Sequence, residues 1–324
     1  MQAVIYHRYG SPDVLELQEI PKPAPKEDEV LIRVHASSVN PYDWHFLRGA
    51  PSVLRLFLGV RKPKSPRLGA DVAGIIEAVG TKVIQFTPGD FVFGTAKGSF
   101  AEYACAPASQ LAAKPQEISF EQAACLPIAG ITALQGLRDK GKVRTGQAIL
   151  INGAAGGVGT FAVQIAKSLG AHVTGVCSTG NVELILSIGA NEVIDYSHED
   201  FARSGQKYDL VLDLVGNRPL ADYLRVLRSH GTYIACGGGG PDRSSFNLLA
   251  GMLTNTVRSR FVSQKMPGLL AKIDGEDLTF LADLVRRRKV IPVVTRTYSL
   301  SETAAAIRHV ESGHARGKIV IAVP

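Results

Sequence analysis

The sequence predicts an α/β protein in which a doubly wound parallel sheet is joined to a second domain of β strands. Two observations predict the parallel sheet: an apolar run at residues 148–151 leads into a glycine-rich turn, and strand patterns then alternate with helical patterns to residue 238. A third predicts the β domain, because short alternating runs between proline and glycine turns fill the first hundred residues. We place the domain boundary at residue 119, so that residues 1–118 and 267–324 form one domain and residues 119–266 the other.

The elements of the β domain follow from these alternating runs. The runs predict strands at residues 3–6, 14–18, 29–36, 71–79, 90–93 and 99–106. Thr87-Pro88-Gly89-Asp90 has the chemistry of a turn. A helical pattern begins at residue 120, and this change of pattern sets the boundary.

The glycine-rich turn has the spacing Gly153-x-x-Gly156-x-x-Gly159 with Gly157 inserted, which differs from the strict G-x-G-x-x-G pattern. From Val158 onward, apolar residues recur on one helix face. A strand, a glycine turn and a helix together bind a pyrophosphate, because glycines admit the phosphates and the helix offers free N–H groups. The glycine cluster alone is weak evidence, and the surrounding strands and helices strengthen it.

The rest of the chain continues the alternation. It predicts strands at residues 172–178, 192–196, 209–216 and 232–238, helices at residues 181–188 and 219–229, and then a tail of helix 277–288, strand 293–298, helix 301–313 and strand 318–323. We expect the tail to pack on the β domain. The cofactor domain is then an insertion, with the active site in the cleft between the domains.

The end of the second strand bears on the choice of cofactor. A site for NAD usually has a carboxylate about twenty residues beyond the glycines, where it binds the ribose 2′-hydroxyl. Here the chain has Ser178-Thr179-Gly180-Asn181, with no carboxylate. Hydroxyl and amide groups can donate to a 2′-phosphate, so the sequence favours NADPH over NADH. These four residues can also be interpreted as a polar cap for the next helix. The two interpretations are compatible.

Composition excludes several classes of function. The net charge of +7 comes from dispersed basic residues, so we expect no nucleic-acid partner. The four cysteines form no C-x-x-C pair, which is typical of buried thiols in a reducing compartment. No apolar run approaches membrane-spanning length and no signal peptide is evident, so we expect a cytoplasmic protein without a membrane partner.

Several motifs occur in an order that resembles a known family. They are residues 38–43 (SVNPYD), 69–74 (GADVAG), 87–90 (TPGD), 126–133 (LPIAGITA), the AAGGVG turn, 189–196 (GANEVIDY) and 313–320 (GHARGKIV). Over its full length the chain resembles a zinc-independent medium-chain dehydrogenase/reductase of the quinone oxidoreductase type. This resemblance implies a GroES-like β-barrel catalytic domain, a Rossmann cofactor domain, NADPH as hydride donor, and a homodimer.

The resemblance also bears on metal. Zinc-dependent relatives carry a cysteine at the position of Asn40 and Gly-His-Glu at the position of residues 69–71, where this chain has Gly69-Ala70-Asp71. Their four-cysteine structural lobe is also missing. His35, His45 and Cys105 are the remaining residues from which a site could form, and a catalytic zinc needs three protein ligands. We expect no metal.

Residue roles follow from the turn and from the resemblance. The cofactor residues are Gly153, Ala155, Gly156, Gly157 and Val158 at the pyrophosphate, Ser178, Thr179, Asn181 and Tyr196 around the 2′-phosphate, Leu214 and Gly237 at the ribose and nicotinamide, and Lys318. Lysines or arginines that such relatives place near this phosphate have no counterpart close after Ser178. For Lys318, a position in solvent is the alternative.

The catalytic candidates are Asn40, Tyr42, His45 and Thr132. The resemblance implies that Asn40 orients the acceptor or the ribose and that Thr132 lies beside the nicotinamide. His45 can donate a proton near neutral pH, although a packing role beside Trp44 is the alternative. Thr132 can instead bond the carbonyl four residues earlier. The proton donor is left open among His45, Tyr42 and water.

Three functions remain. The first is NADPH-dependent reduction of a quinone or an α,β-unsaturated carbonyl without zinc. The second is a cofactor-binding sensor or scaffold with little turnover, and the third is a metal-free alcohol dehydrogenase. Residues 49–66 carry several apolar side chains, which predicts a lid, a packing segment or a dimer segment.

Overall fold

The computed structural model describes residues 1–236, 263–313 and 315–324. It contains two compact units, one made of residues 1–131, 272–288 and 292–324 and the other of residues 132–271 and 289–291. The domain bounds expected from the sequence stay a prediction, and the two units are described separately below. None of the helices in the described ranges has the length and apolar character needed to cross a bilayer.

The first unit is built mainly from strands. The strands are β1 (Gln2–Ile5), β2 (Glu16–Glu19), β3 (Glu29–Val39), β4 (Asp71–Val79), β5 (Phe91–Thr95), β6 (Tyr103–Pro107) and β7 (Leu111–Ala113). Its helices are α1 (Pro41–Arg48), α2 (Arg55–Leu58) and α3 (Phe120–Ala124). The helix α4 (Pro127–Leu134) contains the boundary between the two units, and a π-helical stretch at Gln135–Lys140 of the second unit follows it. The sequence did not predict β7, because three residues are too few to show an alternating pattern.

The second unit contains a parallel sheet with the strand order β10-β9-β8-β11-β12. The strands are β8 (Ala148–Asn152), β9 (His172–Cys177), β10 (Glu192–Asp195), β11 (Tyr208–Asp213) and β12 (Leu227–Ala235), and the helices are α5 (Gly157–Ser168), α6 (Val182–Ser187) and α7 (Leu220–Val226). The predicted α/β fold class with a parallel sheet is therefore confirmed.

One predicted element in this unit is partly wrong. The helix expected over residues 219–229 ends at Val226, and β12 begins at once with Leu227. Leu227 is paired with Tyr208 of β11. Strand pairing, which depends on a residue distant in sequence, overrides the local helical pattern here.

The tail belongs to the first unit. It contains α8 (Gly275–Arg286), β13 (Val294–Ser299), α9 (Thr303–Glu311) and β14 (Lys318–Ala322). β14 pairs antiparallel with β3 and parallel with β13, so the sheet has the order β13-β14-β3-β4-β5-β7, with β6 also on β3. Ile32, Ile76 and Ile321 are among the buried residues of its core. This pairing brings Lys318, at the start of β14, beside the end of β3.

Candidate active site and cofactor site

Two close approaches shape the glycine-rich turn between β8 and α5. Gly153 has a φ of +85°, and a Cβ there would lie 2.6 Å from Val215 Cγ2. A Cβ on Gly159 would lie 2.2 Å from the carbonyl oxygen of Gly153, so α5 packs directly on the turn. Residues with side chains do not fit either position without a shift of the backbone or of Val215.

The turn leaves free donors at the start of α5. Gly156 precedes the helix in an extended conformation, and the first bond of the helix runs from Thr160 N–H to Gly156 O over 3.0 Å. The N–H groups of Gly157, Val158 and Gly159 therefore have no acceptor within the helix. The positive end of the helix dipole adds to these donors, so this end of α5 suits an anionic group such as a pyrophosphate. Ala155, within the turn, is almost fully buried.

The residues predicted to surround a 2′-phosphate lie at the carboxyl ends of β9 and β10. Asn181 Nδ2 donates to Ser178 Oγ over 2.9 Å, and the Tyr196 side chain is exposed. Asn181 Oδ1 is buried without a hydrogen-bond partner among the described residues. A buried polar atom without a partner is rare. A ribose hydroxyl would satisfy it, and after rotation of the amide Nδ2 would face a phosphate oxygen instead, so these residues fit either group.

Asp195 is a residue of this region that the sequence reasoning missed. β10 runs parallel to β9 with Asp195 paired to Cys177, which brings the Asp195 carboxylate to the residues that follow β9. It accepts hydrogen bonds from the Thr179 hydroxyl and, over 2.9 Å, from Ser197 N–H. The bond from Thr179 is the main reason why the pKa of Asp195 is lowered. A carboxylate therefore does lie near this position, supplied by the neighbouring strand.

A buried polar cluster holds the loop that contains Leu214. Asp213 Oδ1 accepts from the N–H groups of Val215 and Gly216 over 3.1 and 3.0 Å, and from Asn152 Nδ2 over 2.9 Å. Its Oδ2 accepts from the Tyr233 hydroxyl over 2.9 Å. Burial and the nearby carboxylate raise the pKa of Tyr233, which keeps its proton for this bond.

Neither Asp213 nor Asn152 was singled out in the sequence, where β8 and β11 read simply as buried strands. The only available signal was a polar residue at the end of each of two apolar runs. Gly237, predicted to line the ribose and nicotinamide, lies outside the described residues.

A second buried polar cluster lies in the first unit around Asn40. Asn40 Nδ2 donates to Asp71 Oδ2 over 2.8 Å and to the Ser38 carbonyl over 3.2 Å. Asn40 Oδ1 accepts from Lys318 Nζ over 2.6 Å, and Lys318 Nζ lies 3.4 Å from Asp71 Oδ2. Both hydrogens of the Asn40 amide are thus committed, so the side chain is left with one acceptor lone pair for any further partner.

The position of Lys318 differs from the solvent alternative considered above. The residue is 3% exposed, because the pairing of β14 with β3 encloses it. Its ammonium group is held by Asn40, Asp71 and the Val39 carbonyl, all in the first unit. Its predicted contact with the cofactor stays a prediction.

Asp43 adds a second carboxyl group to this cluster. It is fully buried and accepts from Asn40 N–H over 2.8 Å and from Gly69 N–H over 3.2 Å. Burial raises the pKa of Asp43 to about 7, since a charged carboxylate is costly away from water. The structure therefore places two carboxyl groups and one ammonium group together.

Tyr42 and His45 lie on α1 and differ in the protons they can offer. The ring nitrogen Nδ1 of His45 lies 3.0 Å from the Ala50 carbonyl, which can only accept, so Nδ1 carries the proton and is committed. Burial lowers the pKa of His45 and so favours the neutral ring. Tyr42 is 41% exposed, and burial of its hydroxyl end raises its pKa to about 12. Its hydroxyl is therefore protonated at neutral pH.

Thr132, the fourth catalytic candidate, lies on α4 and is half-buried. The alternative, in which its hydroxyl bonds the carbonyl of residue 128 within the same helix, stays open. Its role beside a nicotinamide stays a prediction.

Two of the three residues considered as metal ligands, His35 and His45, serve other contacts. The His35 ring stacks on Phe120 with centroids 4.4 Å apart, and His45 is bonded as described. Within the described ranges, no group of three or more His, Cys, Asp or Glu side chains is placed to hold a metal ion. Zinc independence itself stays a prediction.

Comparison with known proteins gives matches along the chain. The family described as "Alcohol dehydrogenase GroES-like domain" matches residues 26–116, and that described as "Zinc-binding dehydrogenase" matches residues 188–321. The chain is 36% identical over 336 residues to the chloroplast envelope quinone oxidoreductase homolog of Arabidopsis thaliana, with 99% of this chain and 98% of the relative covered.

Solved structures agree with these matches. The quinone oxidoreductase of Coxiella burnetii is 32% identical with a TM-score of 0.86, covering 100% of this chain and 99% of that one. The Escherichia coli quinone oxidoreductase, solved in complex with NADPH, is 26% identical with a TM-score of 0.81, covering 99% of this chain and 100% of that one. The chain therefore belongs to the medium-chain dehydrogenase/reductase family of NAD(P)H-dependent oxidoreductases, in its quinone oxidoreductase group.

Proposed function

We propose that the protein oxidises NADPH and reduces a quinone to the hydroquinone, without zinc. The observation that carries this proposal is the turn before α5, where the free N–H groups of residues 157–159 lie at a turn that Gly153 and Gly159 keep tight. Relatives that match the whole chain are named quinone oxidoreductases, and one of them binds NADPH. In the reaction, NADPH loses a hydride, and the quinone gains that hydride and one proton.

The cofactor is held by the second unit in this proposal. The N–H groups of Gly157 and Val158 bind the pyrophosphate, with the remaining turn residues shaping the approach. Ser178, Asn181 and Tyr196 bind the 2′-phosphate by hydrogen bonds from side-chain donors. When bound, the nicotinamide supplies a hydride.

Tyr42 is the proton donor that the geometry of α1 favours. Its hydroxyl keeps its proton at neutral pH, because its pKa is about 12, and its ring is partly exposed. His45, by contrast, has its one proton bonded to the Ala50 carbonyl. Asn40 has no free hydrogen to donate, so it positions α1, whose first residue follows it, and can meet a ribose or acceptor only through its remaining Oδ1 lone pair.

The proposal is tested with purified protein, NADPH or NADH, and a panel of an ortho-quinone, an enal and an alcohol. We expect oxidation of the nucleotide with the quinone. Oxidation with the enal as well would show that the substrates include α,β-unsaturated carbonyls. Tight NADPH binding without oxidation by any acceptor would indicate a sensor or scaffold. Reduction of NADP⁺ that depends on the alcohol would indicate a metal-free alcohol dehydrogenase. Sedimentation equilibrium tests the proposed homodimer.

Variants separate the two proton donors. We expect Tyr42→Phe to lower kcat for the quinone about a hundredfold, the low end of general acid catalysis, with little change in the KM for NADPH. His45→Gln, which keeps a donor for the Ala50 carbonyl, is the matched control and retains kcat. A loss in His45→Gln alone would assign the proton to His45, and no loss in either would assign it to water.

A further inference from the structure

Residues 53–67, which we call the basic–apolar segment, expose large apolar side chains. Leu56, Phe57 and Val60 are 66%, 74% and 66% exposed, and the first two lie on α2. Single exposed apolar residues are ordinary on protein surfaces. Three of this size within five residues form a local apolar cluster, and an exposed apolar cluster rimmed by polar residues is typical of an interaction site.

The same segment is strongly basic. It carries Arg55, Arg61, Lys62, Lys64 and Arg67, and residues 44–70 contain no acidic residue. Arg55 is used within the unit, since its guanidinium donates to the carbonyls of Gly49 and Arg48. Arg61, Lys62 and Lys64 are exposed. Cations therefore lie directly beside the apolar cluster.

Contacts with the rest of the first unit hold the segment in place. The Tyr9 hydroxyl donates to the Gly59 carbonyl over 2.7 Å, and the Arg55 guanidinium lies 4.7 Å from the centre of the Tyr9 ring. These contacts fix α2 and the residue after it in the free protein. Binding of the cluster to a partner therefore costs little additional conformational entropy.

We propose that the basic–apolar segment docks on the surface of an anionic lipid bilayer. Leu56, Phe57 and Val60 enter the boundary between headgroups and acyl chains, and Arg61, Lys62 and Lys64 bind the anionic headgroups. This combination of apolar tips and flanking cations without acidic residues matches the chemistry of such a surface. The inference differs from the expectation of no membrane partner, and it does not depend on the proposed function.

A second copy of the chain fits the segment less well. In a two-fold symmetric contact the same surface meets itself, so Arg61, Lys62 and Lys64 would approach their own copies. The segment has no acidic residue with which to pair them. The charges therefore oppose self-association through this surface and favour an anionic partner.

Cosedimentation of the full chain with vesicles tests the proposal. Vesicles of phosphatidylcholine alone are compared with vesicles that also contain phosphatidylglycerol, at low and high salt. We expect binding to the anionic vesicles only and its loss at high salt, because salt screens the headgroup attraction. Lys62→Ser combined with Lys64→Ser lowers the partition coefficient roughly thirtyfold, and Phe57→Ser lowers it roughly tenfold.

Matched variants control for charge and apolar area. Lys140→Ser combined with Lys289→Ser removes two exposed lysines of the second unit, and Ile84→Ser removes an apolar side chain that is 92% exposed. Both controls bind like the wild type, and thermal melting checks that every variant is folded. Equal binding to both vesicle types, or equal losses in variants and controls, would overturn the proposal. The proposal would also be overturned if the wild type did not bind vesicles but formed an oligomer that Phe57→Ser dissociates.

Discussion

At the scale of single residues, Asp43 is fully buried, its carboxyl group accepts hydrogen bonds from two backbone N–H groups, and an ion pair lies beside it. Its pKa is raised from 3.8 to about 7 by burial, so the folded state holds its proton over a range in which the unfolded state has lost it. The contribution of Asp43 to stability is therefore most favourable below about pH 4. It falls as the pH rises to about 7 and is constant above that.

Asp43→Asn removes this titration. We expect the free energy of unfolding of the wild type, relative to the variant, to decrease between about pH 4 and about pH 7. Urea unfolding at several pH values measures it. Glu117→Gln, at an exposed site, is the control and follows the wild type at every pH. If the difference in the free energy of unfolding between the wild type and Asp43→Asn stayed constant with pH, the raised pKa of Asp43 would be contradicted.

Asp195 is the residue on which the choice of nucleotide depends most directly. Its carboxylate is bonded to Thr179, in the group of residues proposed to bind the 2′-phosphate, and a negative charge there opposes a phosphate. We expect Asp195→Asn to raise the ratio of the NADH dissociation constant to the NADPH dissociation constant roughly tenfold, which corresponds to about 1.4 kcal/mol. Fluorescence titration with each nucleotide measures the ratio. Asp139→Asn, a carboxylate paired with Arg138, leaves it unchanged, and an unchanged ratio in Asp195→Asn would remove Asp195 from the site.

At the scale of elements, the contact between α5 and the glycine turn positions the proposed pyrophosphate site. A Cβ on Gly159 would lie 2.2 Å from the Gly153 carbonyl oxygen, so Gly159→Ala must displace either the helix or the turn. We expect a loss of stability of about 1–3 kcal/mol and NADPH binding weakened about tenfold or more. Gly268→Ala is the control, since nothing lies within 4 Å of a Cβ there. Normal NADPH binding by folded Gly159→Ala would show that the turn does not carry the site.

For the whole molecule, the absence of a catalytic metal is a prediction that can be measured directly. The residues at the zinc-ligand positions of related enzymes include Asn40 and Asp71, which bond each other and Lys318. We expect extensive dialysis against a chelator to leave quinone reduction unchanged, with zinc well below one atom per chain by elemental analysis. Loss of activity that added zinc restores would contradict this.

The sequence by itself determined the elements whose patterns are local. The glycine turn between β8 and α5 and the apolar strands of the parallel sheet follow from side-chain periodicity and backbone freedom, which depend on neighbours in the chain. Similarly, β4 has the bounds that its alternating pattern predicts. Because these patterns are local, the sequence was sufficient to predict the α/β fold class, which the structure confirms.

Only the tertiary structure decided which polar side chains meet. Asn40, Asp71 and Lys318 are brought together by the pairing of β3 with β4 and β14, and Asp195 reaches Thr179 because β10 lies beside β9. Strand pairing over these separations leaves no periodic signal in the sequence. The same reason explains why Leu227 begins a strand where a helix was expected. Local patterns therefore determined the elements, whereas contacts between distant residues determined the chemistry of the candidate site.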